Sequence, residues 1–223
     1  MPHVIKTITR PPAATVQAIA EFPPATHHEA QGRRGAVDWR IKPVQPGMKF
    51  CGPAVTVRCT PGDNLMLAAA ISVAQPGDVL VIDGGDNPEQ GPFGEVLATA
   101  AKARGVAAMV FNCAVRDATA LRRLGLPVFS NGFSVKGTVK ETLGAVNHPM
   151  VFGGVYIEPG DILCGDDDGV VLVQAVEALE VAAASRARED KEAVFMERLR
   201  AGESVLEVLG LDKVLAAKEC KWE

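Results

Sequence analysis

The residues best suited to chemistry lie in two short segments, each of which follows a predicted strand. The first is glycine-rich and passes through Gly91 and Gly94 to Glu95, where a helix is predicted to begin. Such a segment leaves backbone N–H groups unpaired at the positive end of the helix dipole, which favours a bound anion. The second is Arg116-Asp117. Because a guanidinium can hold a carbonyl or carboxylate and hard carboxylates suit Mg²⁺ or Mn²⁺, these segments predict a site for an anionic ligand and a divalent cation.

The spacing of the two segments indicates that they meet. Twenty residues separate Glu95 from Arg116, which is the length of one helix plus one strand. Because connections that follow neighbouring parallel strands lie side by side, we expect Gly94 and Glu95 to face Arg116 and Asp117 across one crevice. Two structural alternatives stay open. The glycines could serve only a turn that needs positive φ, and Asp117 could only cap the next helix while pairing with Arg116.

Alternating strands and helices are predicted to hold these segments. Apolar runs typical of strands buried on both faces cover residues 79–83, 106–111 and 126–129, and helical patterns cover residues 95–104 and 118–124. A strand at 54–59 and a helix at 65–73, with Asn64 as its N-cap, precede them. The short links predict parallel strands with right-handed crossovers, and therefore a β-α-β-α-β unit whose strand carboxyl ends share one edge.

The C-terminal half predicts antiparallel strands and a long helix. Residues 162–164 and 170–173 form a hairpin pattern, and Asp168-Gly169 between them favours a turn over a cation site for the adjoining acids. Residues 176–200 predict a helix with a highly charged middle. The predicted fold class is therefore α/β: a single layered domain over residues 1–223 with a central parallel β-α-β-α-β unit, additional antiparallel strands and a long C-terminal helix. Residues 174–223 are expected to pack on a neighbouring subunit.

Composition and absent motifs exclude several classes of function. The 223 residues are 48% hydrophobic and 22% charged, which is typical of a globular protein. The net charge of −4 without a Lys/Arg stripe argues against nucleic acid, and no apolar run is long enough to span a membrane. Five cysteines without a C-x-x-C pair predict buried thiols in the cytoplasm. No P-loop, dinucleotide fingerprint or G-x-S-x-G elbow is present, so nucleotide cofactors and serine nucleophiles are disfavoured.

The adjacent histidines His27 and His28 are a weaker metal candidate. Neighbouring side chains on a helix diverge by roughly 100°, so the two rings cannot easily chelate one ion. We expect them at the surface or in a supporting role.

Several motifs together resemble the RraA-like superfamily. The resemblance rests on Gly91-x-x-Gly94-Glu95-x-Leu97-Ala98, its spacing to Arg116-Asp117, Gly137-Thr138-Val139-Lys140-Glu141-Thr142-Leu143-Gly144, Pro159-Gly160-Asp161-Ile162 and Asp166-Asp167-Asp168-Gly169-Val170-Val171. The sequence is most similar there to the 4-hydroxy-4-methyl-2-oxoglutarate / 4-carboxy-4-hydroxy-2-oxoadipate aldolases, which share a His-Glu-Ala-Gln-x-Arg-x-Gly stretch like that from His28 to Gly35. The likeness runs from about His28 to Val173.

This resemblance implies a lyase: a pyruvate aldolase that depends on Mg²⁺ or Mn²⁺, often decarboxylates oxaloacetate, and assembles as a homotrimer or homohexamer with sites at subunit boundaries. It implies that Asp117 ligates the metal, that Glu95 holds it through a water, and that Arg116 binds the pyruvyl C2 oxygen. The backbone amides of Val96 and Leu97, directly after Gly94, would bind the pyruvyl carboxylate.

The resemblance also implies one acidic ligand from the C-terminal helix of an adjacent subunit. Glu189, Asp190 and Glu192 are the candidates. Similar aldolases mostly carry Asp at the position of Glu95, so this chain differs there by one methylene.

The implied reaction cleaves 4-hydroxy-2-oxo dicarboxylic or tricarboxylic acids to pyruvate and a second oxo acid. Charge develops on the C2 oxygen of a pyruvate enolate, where a cation and Arg116 would stabilise it, and oxaloacetate decarboxylation yields the same enolate. We expect a water positioned by Glu95 to take the C4 hydroxyl proton.

Two rival functions are weighed against this one. The first is a non-catalytic regulator of a ribonuclease of the RraA type, and the presence of both Glu95 and Asp117 argues against it because related regulators do not keep this acidic pair. The second is a methyltransferase, which the glycine segment disfavours because it lacks a nucleoside-cofactor pattern.

Overall fold

In the computed structural model, which describes residues 3–87 and 89–222, a nine-stranded mixed sheet forms the centre of the protein. The strands are β1 (His3–Val4), β2 (Lys42–Pro43), β3 (Phe50–Arg58), β4 (Val79–Asp83), β5 (Ala108–Phe111), β6 (Ala114–Val115), β7 (Val128–Ser130), β8 (Gly132–Phe133), β9 (Ala145–Val146), β10 (Met150–Phe152), β11 (Val155–Ile157), β12 (Ile162–Asp166) and β13 (Gly169–Val173). The helices are α1 (Ala13–Ala20), α2 (Pro24–Ala30), α3 (Leu65–Val73), α4 (Glu95–Ala103), α5 (Ala118–Leu124), α6 (Ala178–Arg200), α7 (Val205–Leu209) and α8 (Leu211–Ala217).

The predicted α/β fold class is confirmed. The main sheet has the order β1-β9-β3-β4-β5-β7-β2, and β3, β4, β5 and β7 run parallel to one another. Helix α4 connects β4 to β5, and α5 lies between β5 and β7, so the β-α-β-α-β unit is present. The short strands β6 and β8 pair in parallel just beyond the ends of β5 and β7. The carboxyl ends of these strands therefore lie together at one edge.

Strand β3 is longer than predicted. It begins at Phe50 rather than at residue 54, because its first residues pair antiparallel with β12 while its second half pairs in parallel with β4. Gly52 and Pro53 conceal this first half in the sequence, since both residues are unfavourable in strands. Strand β5 starts two residues later than predicted, and β7 covers Val128–Ser130 rather than 126–129.

Two apolar layers cover the faces of the sheet. On one face, Leu80 and Ile82 of β4 pack with α3, α4 and α5 residues such as Leu67 and Leu121. On the other face, Val79 and Val81 pack with residues that include Phe129 and the β10–β11 hairpin. Because β4 buries both faces, its sequence is an almost unbroken apolar run, as predicted.

The predicted hairpin between residues 162 and 173 is present as β12–β13, with Asp166 opposite Gly169 at the turn. Helix α6 follows it and packs against α1 and α2. Its buried residues, Ala178, Val181, Ala182 and Ser185, all lie in its first third, so the rest of this helix leaves the core of its own chain as expected. Among the described helices, none combines the length and apolarity that crossing a membrane requires.

Candidate active site

The structure brings Glu95 and Asp117 together at the edge formed by the strand carboxyl ends. Glu95 is the first residue of α4, and its backbone N–H donates to Oδ2 of Asp117 at 2.9 Å. Arg116 lies beside them, with Nε 3.8 Å from the same Oδ2, and its own amide donates to the Phe93 carbonyl at 2.9 Å. Three groups predicted to share a crevice therefore meet at the start of one helix.

The backbone at Asp117 directs its carboxylate toward α4. Asp117 precedes α5 in the left-handed conformation, with φ 58° and ψ 41°, and its side chain makes no capping hydrogen bond to α5. Asp117 is therefore the N-cap residue of α5 by position and pairs with Arg116, as in the structural alternative, but its side chain does not cap α5. Instead, its carboxylate accepts from the first amide of the preceding helix of the unit, at the positive end of the α4 dipole.

Close approach, rather than positive φ, explains the glycines at the start of α4. Gly94 has φ −148°, which any residue can adopt, but a Cβ there would overlap Oδ2 of Asp117. A Cβ on Gly91 would lie 2.8 Å from the Ser134 carbonyl oxygen and 2.9 Å from Cβ of Arg116. The alternative based on positive φ is therefore wrong for both glycines, because space for the Arg116-Asp117 segment is what they provide.

The next two amides of α4 are open. Val96 is 82% exposed, and within residues 3–87 and 89–222 neither its N–H nor that of Leu97 has a protein acceptor. Free amides at a helix start carry a partial positive charge and bind anions such as carboxylates.

Glu95 has a partner that the sequence analysis missed. Its Oε1 lies 3.2 Å from Nη2 of Arg123 on α5, and both side chains are more than half exposed. An exposed ion pair of this kind is weak, so Glu95 can exchange it for another partner. The sequence offered no signal for this pairing, because it depends on the side-chain conformation of an exposed residue on α5.

A cleft of about 310 Å³ opens in front of Arg116 and Asp117. Its other wall is formed by Phe133, Ser134 and Val135, which the sequence analysis did not select. They lie there because β8 pairs with β6, directly before Arg116. The signal was available, since the residues after the third parallel strand reach the same edge as those after the first two.

Asp117 offers one carboxylate oxygen that a cation could bind. Oδ1 of Asp117 accepts no hydrogen bond from the described residues, so it is free to bind a cation. No group of three His, Cys, Asp or Glu side chains in the described part of the chain is positioned to hold a metal. A set of one or two carboxylates fits Mg²⁺ or Mn²⁺, because these ions bind through few protein ligands and keep several waters.

The acidic residues of α6 do not complete this set within the chain. Glu189 accepts a hydrogen bond from Oγ1 of Thr26 at 2.6 Å, Glu192 pairs with Arg188 at 2.8 Å, and Asp190 is exposed. With Asp117 and Glu95, none of these acids forms a three-ligand cluster in the described residues.

Buried Asp63 holds the start of α3 and the segment at residues 141–142 together. Its oxygens accept from the backbone amides of Leu65 at 2.8 Å and of Glu141 and Thr142 at 2.7 Å each. Burial alone would raise the pKa of Asp63, but these hydrogen bonds outweigh it and lower the pKa. Asp63 therefore does the capping predicted for Asn64, whose Nδ2 donates instead to the Pro92 carbonyl at 2.8 Å, next to the glycine segment.

The histidine pair does not belong to the site. His27 is fully buried, with Nδ1 2.9 Å from Oγ of Ser185 and Nε2 2.8 Å from the Ile19 carbonyl oxygen. A surface position is therefore wrong for His27, whose contacts join α2 to α6 and α1 and do not reach the residues of the site. His28 is partly exposed and contacts the Arg34 carbonyl oxygen at 2.9 Å.

Comparison with known proteins places the chain in a family. The family model RraA-like (Aldolase/RraA) matches residues 17–172. A protein of Halalkalibacterium halodurans named "Putative 4-hydroxy-4-methyl-2-oxoglutarate aldolase" is 38% identical over 133 residues, which are 60% of this chain and 63% of that protein, so the match spans less than two thirds of the relative.

Two solved structures share the fold over most of the chain. An uncharacterized protein from Pseudomonas syringae pv. tomato superposes with a TM-score of 0.82 at 26% identity, covering 92% of this chain and 97% of that one. Streptomyces coelicolor RraAS2, described as an unusual member of the RNase ES inhibitor RraA protein family, superposes with a TM-score of 0.76 at 30% identity, covering 86% of this chain and all of that one. The chain belongs to the RraA-like (Aldolase/RraA) family.

Proposed function

We propose that this protein is a divalent-metal-dependent aldolase. It cleaves 4-hydroxy-2-oxo dicarboxylic or tricarboxylic acids to pyruvate and a second oxo acid, and it decarboxylates oxaloacetate as a side activity. The name of the Halalkalibacterium halodurans relative supports the reaction class. The observation that carries the proposal is the contact between the Asp117 carboxylate and the first amide of α4, beside Arg116 and the cleft that Arg116 and Asp117 line.

Substrate binding uses groups that have no competing protein partner. The amides of Val96 and Leu97 receive the carboxylate of the pyruvyl half, where the α4 dipole favours negative charge. The Arg116 guanidinium, which is 44% exposed, donates to the C2 oxygen. These contacts fix the substrate with its C3–C4 bond directed into the cleft.

Stabilisation of the developing charge is the main catalytic task. When the C3–C4 bond breaks, its electrons move into the pyruvyl half and the C2 oxygen becomes negative, so the hydrogen bonds from Arg116 strengthen in the transition state. A Mg²⁺ or Mn²⁺ ion held by Asp117, and by Glu95 through a water, would supply Lewis-acid stabilisation of the same charge when bound.

Glu95 handles the proton of the C4 hydroxyl. Its carboxylate leaves its weak pair with Arg123 and accepts this proton through an ordered water. The released oxo acid forms as the hydroxyl becomes a carbonyl. Oxaloacetate loses CO₂ to give the same pyruvate enolate, so the same side chains act without change.

A coupled assay for pyruvate tests this function. The purified protein is given 4-carboxy-4-hydroxy-2-oxoadipate, 4-hydroxy-4-methyl-2-oxoglutarate or oxaloacetate, with Mg²⁺, with Mn²⁺, or with a chelator. We expect pyruvate to form from all three substrates. The chelator should abolish this activity, and either metal should restore it. Failure to form pyruvate under any of these conditions would contradict the proposal.

A second candidate is inhibition of a ribonuclease, which the likeness to RraAS2 supports. A binding and RNA-cleavage assay with RNase ES separates the two functions. We expect no inhibition, because the acidic pair and the open helix start are suited to a small anion. Inhibition by a protein that forms no pyruvate would establish the regulator instead.

We further propose that the active form is a homotrimer or homohexamer. Residues 3–87 and 89–222 contain no group of three side chains placed to hold a metal, which supports this proposal, since Glu189 or Glu192 of a neighbouring copy could supply the further acid. The proposal also gives a function to the part of α6 after Ser185, which has no residue buried in the core of its own chain.

A further inference from the structure

Cys51 and Cys164 are direct neighbours on adjacent antiparallel strands. They stand opposite each other in the register of β3 and β12. Two positions along the same ladder, Pro53 stands opposite Ile162. Because proline has no N–H, Pro53 and Ile162 cannot exchange both ladder hydrogen bonds. Hydrogen-bonded and non-hydrogen-bonded pairs alternate along an antiparallel ladder, so the cysteines also form a non-hydrogen-bonded pair.

This register suits a disulfide. The Cα atoms of a non-hydrogen-bonded pair lie about 4.5 Å apart, which is within the range of about 4.4–6.8 Å that disulfides span. The side chains also point to the same face of the sheet, since residues directly opposite each other do so. Both face the apolar cluster that includes Ile19 of α1 and Val181 of α6.

The pair can be reached from solvent. Both cysteines line a cleft of about 430 Å³ at the corner between α1 and α2, with Phe22 and Lys49 among its other lining residues. Cys51 is partly exposed, whereas Cys164 is only 3% exposed. A small reagent that enters the cleft therefore meets Cys51 first.

Burial also affects the acidity of the Cys164 thiol. The pKa of Cys164 is raised well above its ordinary value by its hydrogen bond with Cys51 and by burial, so Cys164 stays protonated at neutral pH. This assigns the attack on an oxidant to Cys51 and the second step to Cys164.

We propose that Cys51 and Cys164 are an oxidative modification site that closes into a disulfide when a hydroperoxide enters the cleft between α1 and α2. In the first step the Cys51 thiolate attacks the peroxide O–O bond, forming a sulfenic acid and, with hydrogen peroxide, releasing hydroxide, which takes up the Cys51 proton as water. In the second step the Cys164 sulphur attacks the Cys51 sulphur, the S–OH bond breaks, and the Cys164 proton leaves with hydroxide as a second water. Two thiols are oxidised, one peroxide is reduced, and two waters form.

The other buried cysteines provide an internal comparison. Cys59 follows β3 and Cys113 follows β5, with β4 between them. Two strand spacings amount to about 10 Å, which is too far for a disulfide without movement of the backbone. Cys220 is exposed near the C terminus and is replaced in the test protein because it could link two copies.

The test treats the Cys220→Ser protein with hydrogen peroxide and maps its peptides without reduction. We expect the number of free thiols to fall from four to two, a mass loss of about 2 Da, a cross-linked peptide pair containing Cys51 and Cys164, and full reversal by dithiothreitol. With Cys164→Ser added, dimedone should capture Cys51 as a sulfenic acid, and with Cys51→Ser added no cross-link should form.

Circular dichroism checks that each variant folds. If a variant does not fold, the peptide map of the protein that keeps both Cys51 and Cys164 still tests the proposal. The proposal is overturned if Cys51 proceeds to sulfinic or sulfonic acid with no cross-link to Cys164. A Cys59–Cys113 cross-link formed to the same extent would overturn it as well. Neither result depends on the aldolase proposal, because no measurement in the test involves pyruvate.

Discussion

At Asp117, an unusual backbone conformation determines where the carboxylate lies. The left-handed conformation is uncommon for residues other than glycine, although aspartate and asparagine tolerate it better than most. Here it turns the carboxylate onto the first amide of α4 and leaves Oδ1 free. The same residue therefore joins two helices of the β-α-β-α-β unit and offers a ligand atom to the cleft.

Replacing Asp117 by Asn tests the chemical role separately from the conformational one. Asn tolerates the left-handed backbone and can still accept from the Glu95 amide, but it carries no charge to hold a cation. We expect pyruvate release to fall by at least about 100-fold with little change in the melting temperature. The matched control is Asp212→Asn on exposed α8, which should retain full activity. Equal losses in both variants would contradict the assignment.

Gly94→Ala tests the space that Asp117 needs. Its Cβ would overlap Oδ2 of Asp117, so the carboxylate must move away from the α4 amide. We expect a loss of activity of at least about tenfold, because small displacements of catalytic groups are costly. Gly137→Ala is the control, since a Cβ there meets only Nη1 of Arg116 at an ordinary 3.6 Å. Steady-state kinetics should show a clear defect in the first variant and a minor one in the second.

The sequence predicted the meeting of Glu95 with Asp117 because the connections that follow consecutive parallel strands lie side by side at one edge of the sheet. It could not identify Arg123, since ion pairing at an exposed helix position depends on side-chain conformation and not on spacing alone. It also left open whether the glycines served only a turn that needs positive φ. The need for space at Gly94 becomes visible only when the opposing Asp117 carboxylate is in place.

At the scale of elements, Asp63 connects α3 to the segment at residues 141–142. Asp63→Asn replaces one carboxylate oxygen by an amide donor, so at least one of the backbone amides it serves loses its acceptor. We expect a loss of about 1–3 kcal/mol in the free energy of unfolding, measured by urea denaturation. The exposed Asp212→Asn variant should change it by less than about 0.5 kcal/mol. An unchanged midpoint in Asp63→Asn would show that these hydrogen bonds do not stabilise the fold.

His27 gives the junction of α1, α2 and α6 a dependence on pH. Burial lowers the pKa of His27, although its hydrogen bonds to the Ile19 and Phe22 backbone oppose this. The unfolded chain, whose histidine has its ordinary pKa near 6.5, therefore binds a proton before the folded protein does. The contribution of neutral, buried His27 to the free energy of unfolding is therefore present above that pH and is lost as the pH falls below it.

We therefore expect the melting temperature to drop between about pH 7.5 and 5.5, and to drop less in His27→Gln. The control is His28→Gln, which changes the neighbouring, partly exposed ring and should keep the slope of the parent. Differential scanning calorimetry across this range provides the measurement. A slope in His27→Gln equal to that of the parent would assign the pH dependence to other groups.

The elements also show where sequence patterns are sufficient. The bounds of α3, β4 and α5 agree with the prediction because glycine or proline turns mark both ends of α3 and β4, and Asp117 and Gly125 mark the ends of α5. Strand β3 was predicted four residues short, since its first half pairs with β12, more than 100 residues later in the chain. Pairing over such a distance leaves little trace in local sequence.

For the assembled protein, we propose that the active site combines residues of two copies of the chain. One chain provides Asp117 and Glu95, and no third ligand of the described residues joins them. The match to the RraA-like family ends at residue 172, before α6, α7 and α8. We propose that this C-terminal part completes the site of a neighbour, with Glu189 or Glu192 as the contributed acid.

Mixing two inactive variants tests whether sites are shared. Asp117→Asn removes the acid from one side of the boundary, and Glu189→Gln or Glu192→Gln removes the candidate from the other. If each site combines both sides, random assembly of the two inactive variants in equal amounts should restore about a quarter of the activity of the unmodified protein. Each of the two required side chains is present at a given site with a one-in-two chance. Asp190→Asn is the control and should be active alone. Mixtures that stay inactive would contradict a shared site.

The proposal that Asp117 holds the catalytic cation is decided by one measurement, metal-dependent pyruvate release. The unmodified protein is compared with Asp117→Asn and with the control Asp212→Asn. All three proteins are assayed with 4-carboxy-4-hydroxy-2-oxoadipate over a range of Mg²⁺ concentrations. We predict saturable activation by Mg²⁺ in the unmodified and Asp212→Asn proteins, and pyruvate release near the uncatalysed rate in Asp117→Asn at every concentration. If Asp117→Asn released pyruvate as fast as the unmodified protein and without added metal, Asp117 would not hold a catalytic cation.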